Sequence, residues 1–374
     1  MNNTIEVIGI LNNAFLADSL EFMDEGNRNI ENTIKNEEHM LKLHAIACFK
    51  DPLFHLYQLG IDPIFINNII NDPEKTICST QSLLLCAREK LKAYLTSFFK
   101  GDSLVADYMI LNLISHIHGR KEPLALGNFP LNISNIPTKE ILTPTPINKF
   151  TYHFHRLIQS LMKNCKVLQL SIPFFEKQNI IPRKDYETNE IEDNTLQLPD
   201  HTCLILDETK ITPGPLNEKG FKNLSAIKEI VLSQSTKYDF KYQEIIFLTD
   251  YPSFILSTTK SIIKEIIEVK LKTKANYKVI DNLSKEDQRD FVVYLSLLSD
   301  PRIKFKISNE VIEKIKSDYA EERKKDQSIS VNTLHNWITE ARLYSLSLGK
   351  IELKIEDYLE VRKLESQRLE RLKS

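Results

Sequence analysis

The chain has 374 residues, and its 49 Lys and Arg against 51 Asp and Glu leave a formal net charge of -2 at pH 7. The length predicts two or three compact units, and the hydrophobic (42%) and charged (27%) fractions exclude a mostly disordered or fibrous chain. The near-neutral charge argues against DNA binding through a strong overall positive field.

Glycine and cysteine usage narrows the possible chemistry. Only 9 glycines occur, about a third of average usage, and phosphate-cradling loops consume glycine, so no phosphate loop is expected. The 5 cysteines never form a C-x-x-C pair, and their odd number and scatter indicate a reducing compartment. No segment has the pattern of a signal peptide or a membrane span.

The first hundred residues combine one strand with several helices. Thr4–Leu11 predicts a β-branched strand, and because a lone strand cannot bury its faces, the chain is expected to begin inside or just after a β unit. Asp18–Asn36 is polar and acidic, which predicts a linker. The apolar spacing of Glu37–Phe49 predicts a helix. A looser stretch with three prolines comes next, at Pro52, Pro63 and Pro73.

Two further helices are expected before the chain turns to alternating elements. Gln81–Phe99 repeats apolar residues at three and four positions and predicts an amphipathic helix. The segment from Asp102 or Ser103 to a glycine stop at Gly119 is apolar around most of its circumference, which predicts a buried helix.

Helix and apolar strand alternate after Gly119, as is typical of a parallel sheet. Two short strands are expected within residues 123–134, followed by a proline-rich loop at Pro137–Pro146 and a helix at Phe150–Lys163. The later strands are predicted at Lys166–Ile172, His201–Leu206, Glu244–Leu248 and Ser253–Leu256.

The last ninety or so residues have helical periodicity with abundant Lys and Glu, which predicts an all-helical unit. The expected helices are Lys285–Leu298, Ser308–Lys325, Val331–Leu348 and Glu356–Lys373. Opposite charges three residues apart in the last helix indicate a solvated, ion-paired surface rather than a nucleic-acid surface. The predicted organisation is thus 1–35, a β unit and linker; 36–100, helical; 101–283, α/β; and 284–374, helical.

The strongest local motif is LILDET, Leu204–Thr209, an apolar strand that ends in Asp207 and Glu208. In nucleoside triphosphatases such an Asp positions Mg²⁺ and the Glu polarises the attacking water. This Walker-B-like pair is useful only with a G-x-x-x-x-G-K-[ST] loop, and the sole Gly-Lys pair, Gly349-Lys350, lies in the predicted helical unit. ATP turnover is therefore not expected, and a solvated strand end is the simpler interpretation.

Histidines suggest a metal site only weakly. His116 and His118 are predicted on one helix, and His153 and His155 on another. Positions i and i+2 point about 200° apart on a helix, so neither pair can chelate one ion. A site with one His from each helix stays open, but core or boundary histidines are the simpler interpretation. No serine or cysteine has the sequence setting of a known nucleophile.

Long segments in a fixed order resemble the minichromosome maintenance (MCM) complex-binding protein family. They are GDSLVADYMILNLISHIHGR, PLALGNFPLNIS, IIPRKDYETNEIEDNTLQLP, LILDET, KYDFKYQEIIF and SVNTLHNWITEARLYSLSLGKIELKIEDYLEVRKLES. The resemblance runs from Ile5 onward. Family members usually carry a further N-terminal region, so the sequence is expected to be a shorter form or an incomplete gene prediction.

That family is itself distantly similar to MCM helicase subunits, which implies a degenerate AAA+-like parallel sheet with flanking helices, a lid-like helical C-terminal domain and a remnant N-terminal strand. Ser103–His118 resembles the helix before the nucleotide-binding strand, and LILDET resembles the Walker B strand. Ser253–Ser257 resembles the sensor-1 strand, with Ser257 or a neighbour in place of the usual Asn.

The two lid helices of the resemblance are Ser330–Leu348 and Ile355–Leu364. Thr339 falls near the position of the lid arginine, and Arg342 lies close by in the sequence. Phosphate loop, sensor and lid arginine are thus all expected to be lost.

The resemblance implies a non-catalytic nuclear protein of DNA replication, with no cofactor, metal or small-molecule substrate and no membrane association. Its expected partners are MCM helicase subunits, bound through the surface those subunits use with one another, and chromatin association is indirect. The implied roles are assembly and disassembly (unloading) of MCM complexes, cell-cycle progression through mitosis and cell division, and sister-chromatid cohesion. Two alternatives remain open: an AAA+ type ATPase using Asp207 and Glu208, or a single-stranded nucleic-acid binder using the β unit of Thr4–Leu11.

Overall fold

The computed structural model describes residues 6–12, 42–49, 53–121, 124–137, 148–187, 189, 191–192, 194–273, 283–327 and 330–373. The chain divides into two compact units, one that ends at Phe54 and one that extends from His55 to Ser374. The boundaries predicted within the second unit, at 100 and 283, stay predictions. No helix in these ranges is both long enough and apolar enough to cross a membrane.

The first unit contains a two-stranded antiparallel sheet of β1 (Glu6–Asn12) and β2 (Lys42–Phe49), with a register shift between Ile8 and Gly9. The predicted N-terminal strand is confirmed. The helix predicted over Glu37–Phe49 is wrong where it is described, because Lys42–Phe49 is extended. Its sequence also places an apolar residue at every second position, and β1 needs a partner strand, so pairing across the chain overrides the helical spacing. The predicted linker lies outside the described residues.

The second unit is built largely of helices, and they begin and end as follows. The helices are α1 (Phe54–Gln58), α2 (Pro63–Asn71), α3 (Pro73–Ser79), α4 (Gln81–Phe98), α5 (Ser103–Leu113), α6 (Lys149–Leu161), α7 (Ile172–Lys177), α8 (Glu218–Ser233), α9 (Lys285–Leu298), α10 (Asn309–Lys325), α11 (Val331–Ser347) and α12 (Ile355–Lys373).

The strands of the second unit are short. They are β3 (Gly119–Lys121), β4 (Leu124–Leu126), β5 (Leu131–Ser134), β6 (Cys165–Gln169), β7 (Arg183–Lys184), β8 (Ile191–Glu192), β9 (Cys203–Asp207), β10 (Ser235–Asp239), β11 (Glu244–Leu248), β12 (Ser253–Leu256), β13 (Ile267–Lys270), β14 (Lys306–Ile307) and β15 (Glu352–Leu353).

The proline-containing stretch is helical rather than loose. Pro63 and Pro73 occupy the first positions of α2 and α3, where a missing N–H costs no hydrogen bond. Asp62 and Asp72 cap these helices, accepting from the backbone N–H groups two and three residues ahead at 2.9 Å each. Proline therefore starts helices here instead of breaking them.

Helix α5 begins as predicted but ends early. Asp102 is its N-cap, accepting from Leu104 N (3.2 Å), and Arg371 of α12 contacts both oxygens of the same carboxylate at 2.7 and 2.8 Å. The predicted stop at Gly119 is wrong, because α5 ends at Leu113 and Gly119 opens β3, which pairs antiparallel with β4.

A five-stranded parallel sheet forms the centre of the second unit, in the order β13-β5-β12-β9-β6. By position in the chain its strands run 5-1-4-3-2. Helices cover both faces: Phe254 of β12 packs edge-on against Phe154 of α6 (5.3 Å between ring centroids), while Ile255 joins the core formed with α7 and α8. The predicted parallel sheet is confirmed, and it also contains β13, which the sequence pattern did not identify.

Strand β11 was predicted to extend this parallel sheet, and that placement is wrong. It pairs antiparallel with β10 in a separate sheet of order β11-β10-β7-β8. Residues 240–243 form a short connection between the two strands, and only an antiparallel hairpin can close over so few residues.

The four C-terminal helices α9 to α12 form as predicted, with the short parallel pair β14 and β15 as an unpredicted addition. A core of buried side chains joins α10, α11 and α12 to β15: Val311, Ile315, Ala341, Leu353, Tyr358 and Val361.

Candidate functional site

The carboxyl edge of the parallel sheet brings together the Walker-B-like pair and the predicted sensor residue. Asp207 is the last residue of β9 and is paired with Leu256 of β12. Glu208 follows, and its N–H donates to the Leu256 carbonyl at 2.9 Å. Ser257, the residue after β12, therefore lies beside the acidic pair, because parallel neighbours end at the same edge.

Asp207 is buried and engaged within its own turn. Its Oδ1 accepts from the Thr209 N–H at 3.0 Å and from the Thr209 hydroxyl at 2.6 Å. These two bonds fold the segment after β9 back over the carboxylate, and they are the arrangement of an Asx turn. The predicted solvated strand end is therefore not what the structure has, because Asp207 is only 2% exposed.

Glu208 is also buried and ties a distant loop to β9. The Ser261 hydroxyl donates to one carboxylate oxygen (2.9 Å) and the Ile262 N–H donates to the other (3.2 Å). Burial raises the pKa of Glu208 to about 7 even though these two hydrogen bonds lower it. A pKa near neutrality suits a general base, but both oxygens are already used to position residues 261 and 262.

Ser257 connects the edge to β5. Its Oγ lies 2.9 Å from Asn132 Oδ1 and 2.8 Å from the Thr259 carbonyl. The Asn132 Nδ2 is buried and has no hydrogen-bond partner among the described residues. Asn132 and Ser261 were not identified from the sequence, and no local pattern marks them, because they reach the site only through the sheet order.

The lid residues lie elsewhere. Arg342 of α11 places its Nη2 3.1 Å from His116 Nε2. His116 follows α5, where the Asn112 side-chain amide donates to the carbonyls of Phe129 (2.6 Å) and Ser253 (3.0 Å), just before β5 and at the start of β12. Arg342 thus lies toward the amino edge of the sheet, away from Asp207. Thr339 is partly exposed on the same helix.

The histidines follow α5 rather than lying on it, so the predicted helical placement of His116 and His118 is wrong. Their rings are 6.3 Å apart. Burial, reinforced by the charge of Arg342, lowers the pKa of His116 to about 3 and that of His118 to about 4. His153 and His155 do lie on α6. Among the described residues no three His, Cys, Asp or Glu side chains are placed to hold a metal ion.

A buried polar network joins α5, α11, α12 and β13. The Tyr108 hydroxyl donates to Glu340 Oε1 (2.6 Å) and lies 3.2 Å from Glu365 Oε2. Arg368 pairs with both oxygens of Glu365 (2.6 and 2.7 Å) and donates to the Glu268 carbonyl at 2.9 Å. Burial and the charge of Glu365 raise the pKa of Glu340. The network borders a cavity of about 260 Å³ that Trp337 also lines, and it fastens the C-terminal helices to the sheet.

Comparisons with known proteins identify the same family that the sequence resembles. A profile of the family described as mini-chromosome maintenance replisome factor matches residues 1–372. The mini-chromosome maintenance complex-binding protein of Gallus gallus is 31% identical over 397 residues, which cover 100% of this chain and 60% of that relative. The proteins of the same name from Homo sapiens (32% over 340 residues, 88% and 51%) and Arabidopsis thaliana (30% over 286 residues, 76% and 47%) are also similar.

The chain therefore spans between 47% and 60% of the length of these relatives. The resemblance found in the sequence is confirmed, and the chain belongs to the mini-chromosome maintenance replisome factor family.

Proposed function

We propose that this protein binds the MCM complex as a non-catalytic partner. The observation that carries the proposal is the family match over residues 1–372, together with relatives that are themselves named for binding that complex. Those relatives are longer, so the activity of the whole protein is inferred from the part that this chain shares with them.

The core of the second unit is, in this proposal, a degenerate AAA+-like domain. The resemblance assigns the sensor strand to β12 and the Walker B strand to β9. We place the nucleotide-binding strand, expected after Ser103–His118, at β5, the first strand of the parallel sheet that follows, and these three strands are neighbours in the order β5-β12-β9. Ligands of open α/β sheets bind at the carboxyl ends of the strands. The strand order therefore supports descent from a nucleotide-binding protomer.

Hydrolysis is not part of the proposal. The segment from Ser134 to Asn148, where a phosphate loop would connect β5 to α6, contains no glycine. Asp207 and Glu208 hold the turn after β9 and the loop at Ser261, so their carboxylates serve the fold. Arg342 is the one arginine of α11 and lies close to the predicted lid position, but its side chain contacts His116.

A retained protomer shape would let the protein occupy the surface that MCM subunits use with one another, burying about 2,000 Å² or more. Binding that face would shift MCM rings toward open or partial assemblies. We accordingly propose a nuclear protein that acts in the assembly and unloading of MCM complexes during DNA replication, supports sister-chromatid cohesion and meets chromatin only through MCM.

Co-purification tests the proposal directly. The tagged chain should retain MCM subunits in a stringent pulldown from cells, and crosslinking mass spectrometry on that complex should identify the subunit and the face. Absence of every MCM subunit would dismiss the idea. Incubation of purified MCM rings with the chain should also lower the hexamer fraction in analytical ultracentrifugation.

The ATPase alternative has its own test. Calorimetric titration with Mg²⁺-ATP should give no binding, whereas sub-micromolar affinity lost in Asp207→Ala would establish a nucleotide site. The single-stranded nucleic-acid alternative would require salt-dependent retention on single-stranded DNA.

A further inference from the structure

The edge strand β11 carries two exposed aliphatic side chains. Ile246 and Leu248 are 56% and 61% exposed, whereas Ile245 and Phe247 on the other face are half-buried. Phe247 packs against Tyr238 with ring centroids 4.5 Å apart, which fixes that face to the protein. Edge strands are usually protected from pairing by proline, bulges or charged residues, above all lysine. β11 has no proline, lysine or bulge, and its one charged residue, Glu244, lies at its first position.

The backbone of β11 is also open on its outer side. The Thr249 N–H donates to the Gln234 carbonyl (2.9 Å), and the Phe240 N–H donates to the Gln243 carbonyl (3.0 Å). Residue pairs along an antiparallel ladder alternate between hydrogen-bonded and non-hydrogen-bonded. Because the pair 234–249 at one end and the pair 240–243 at the other are hydrogen-bonded, Ile245 and Phe247 also bond to β10.

It follows that Glu244, Ile246 and Leu248 point their N–H and C=O groups away from β10. Among the described residues these outward groups have no hydrogen-bond partner. The same three residues therefore present side chains and backbone groups together, which is what a docking strand requires.

We propose that β11 binds an extended segment of the MCM partner by strand addition. This inference rests on the proposed function. The segment pairs with the outward backbone groups of Glu244, Ile246 and Leu248. It carries aliphatic side chains opposite Ile246 and Leu248 and a Lys or Arg opposite Glu244.

The charge at one end of β11 selects this partner chemistry. Glu244 lies directly opposite Asp239 on the same face of the hairpin, and like charges in that position repel. Lys222, whose charge interacts with both carboxylates, is ion-paired with Glu218 at 2.9 Å. Arg183, which neighbours Asp239 in the sheet and interacts with it, is ion-paired with Glu192 at 2.6 Å. A basic side chain from the partner would relieve the repulsion between Asp239 and Glu244.

A second copy of this chain fits less well. An antiparallel self-pairing centred on Ile246 places Glu244 opposite Leu248, and the neighbouring registers place it opposite Ile246 or another Glu244. No register of β11 with itself gives Glu244 a cation. The acidic end therefore favours a different chain over a symmetric dimer.

The variant Ile246→Pro tests the outward backbone groups of β11 separately from the stability of the fold. Because the Ile246 N–H points outward, Ile246→Pro removes a donor from the edge and none from the ladder with β10. We expect the affinity for the MCM partner to fall about tenfold or more, equivalent to about 1.4 kcal/mol, with Ile246→Val as the matched control that binds like the original protein. Circular dichroism and thermal midpoint check that the fold is kept.

A second set of variants leaves the backbone intact. Ile246→Lys and Glu244→Lys should weaken binding, whereas Ile64→Lys, at a side chain that is 70% exposed on α2, should not. Hydrogen exchange adds a direct reading: the amides of Glu244, Ile246 and Leu248 should exchange faster than those of Ile245 and Phe247 and become protected on binding.

The outcomes separate the two proposals. Retained binding by Ile246→Pro and Ile246→Lys, with no new protection in β11, would overturn the edge-strand inference and leave MCM binding intact. Failure of the unmodified chain to bind any MCM subunit would overturn both. Dimerisation of the free chain that is lost in Ile246→Pro would identify a second copy as the occupant and would also refute the inference.

Discussion

The network around Arg368 offers a quantitative test of how the C-terminal helices are held. Arg368→Met removes the only cation that pairs with Glu365 in the described structure and a donor to the Glu268 carbonyl. Glu340, already 1% exposed, then faces Glu365 without the charge of Arg368, although the charge of Arg362 still acts on it. Removing one partner of a buried ion pair usually costs about 3–5 kcal/mol, and we expect a loss of unfolding free energy in that range.

Urea titration followed by tryptophan fluorescence measures this loss at the site itself, because the one tryptophan of the chain, Trp337, lines the adjacent cavity. The matched control is Lys363→Met on the same helix, where Lys363 and Glu360 form an exposed pair (67% and 53% exposed side chains). That change should have only a small effect.

The double variant Glu365→Leu with Arg368→Met shows whether the loss of stability comes from an unpaired charge or from poorer packing. Apolar replacements for a buried ion pair are often neutral or stabilising, so the double variant should recover most of the lost stability. If Arg368→Met were no more damaging than Lys363→Met, the network would not fasten α12 to the sheet and the reasoning would be refuted.

Three further changes test the buried groups. Tyr108→Phe leaves the Glu340 carboxyl without its donor and should cost about 1–3 kcal/mol in a urea titration; an unchanged midpoint would contradict this. The lowered pKa of His116, about 3, means that the unfolded chain binds a proton below pH 6.5 that the folded chain does not, so stability is lost as pH falls from 6.5 toward 3. His116→Gln should flatten that acid limb of a thermal-midpoint profile. The raised pKa of Glu208, about 7, has the opposite sign: the stability it contributes is present below pH 4.5 and is lost as pH rises through 7. Glu208→Gln should remove this dependence and leave the part of the profile below pH 4.5 unchanged.

Local periodicity predicted the elements that depend mainly on their own residues. Helix α4 and the C-terminal helices α9 to α12 form where the 3.6-residue spacing places them, and β9 and β12 form at the predicted apolar runs. The resemblance assigned the Walker B and sensor-1 strands to the segments of β9 and β12, but it did not predict that Asp207 and Ser257 lie side by side, which follows from the pairing of these two strands.

The failures share a dependence on distant partners. Lys42–Phe49 is a strand because β1 pairs with it, and α5 stops at Leu113 because the chain must turn to pair Gly119 with β4. The bond from Ser261 to Glu208 spans 53 positions in the sequence, and no pattern around either residue indicates it. Proline was misinterpreted for a different reason: its position relative to the capping Asp decides whether it begins or ends a helix.

The contact between Arg371 and Asp102 has a consequence for synthesis of the protein. The two residues are 269 positions apart, so at about 5–20 residues per second the ribosome needs roughly 13–54 seconds to make the second after the first. During that interval the Asp102 carboxylate can cap the N-terminus of α5, but the Arg371 guanidinium that pairs with it has not yet been made. The ion pair between α5 and α12 can therefore close only after almost the whole second unit has been made, whereas α4, the main packing neighbour of α5, is already available when α5 emerges.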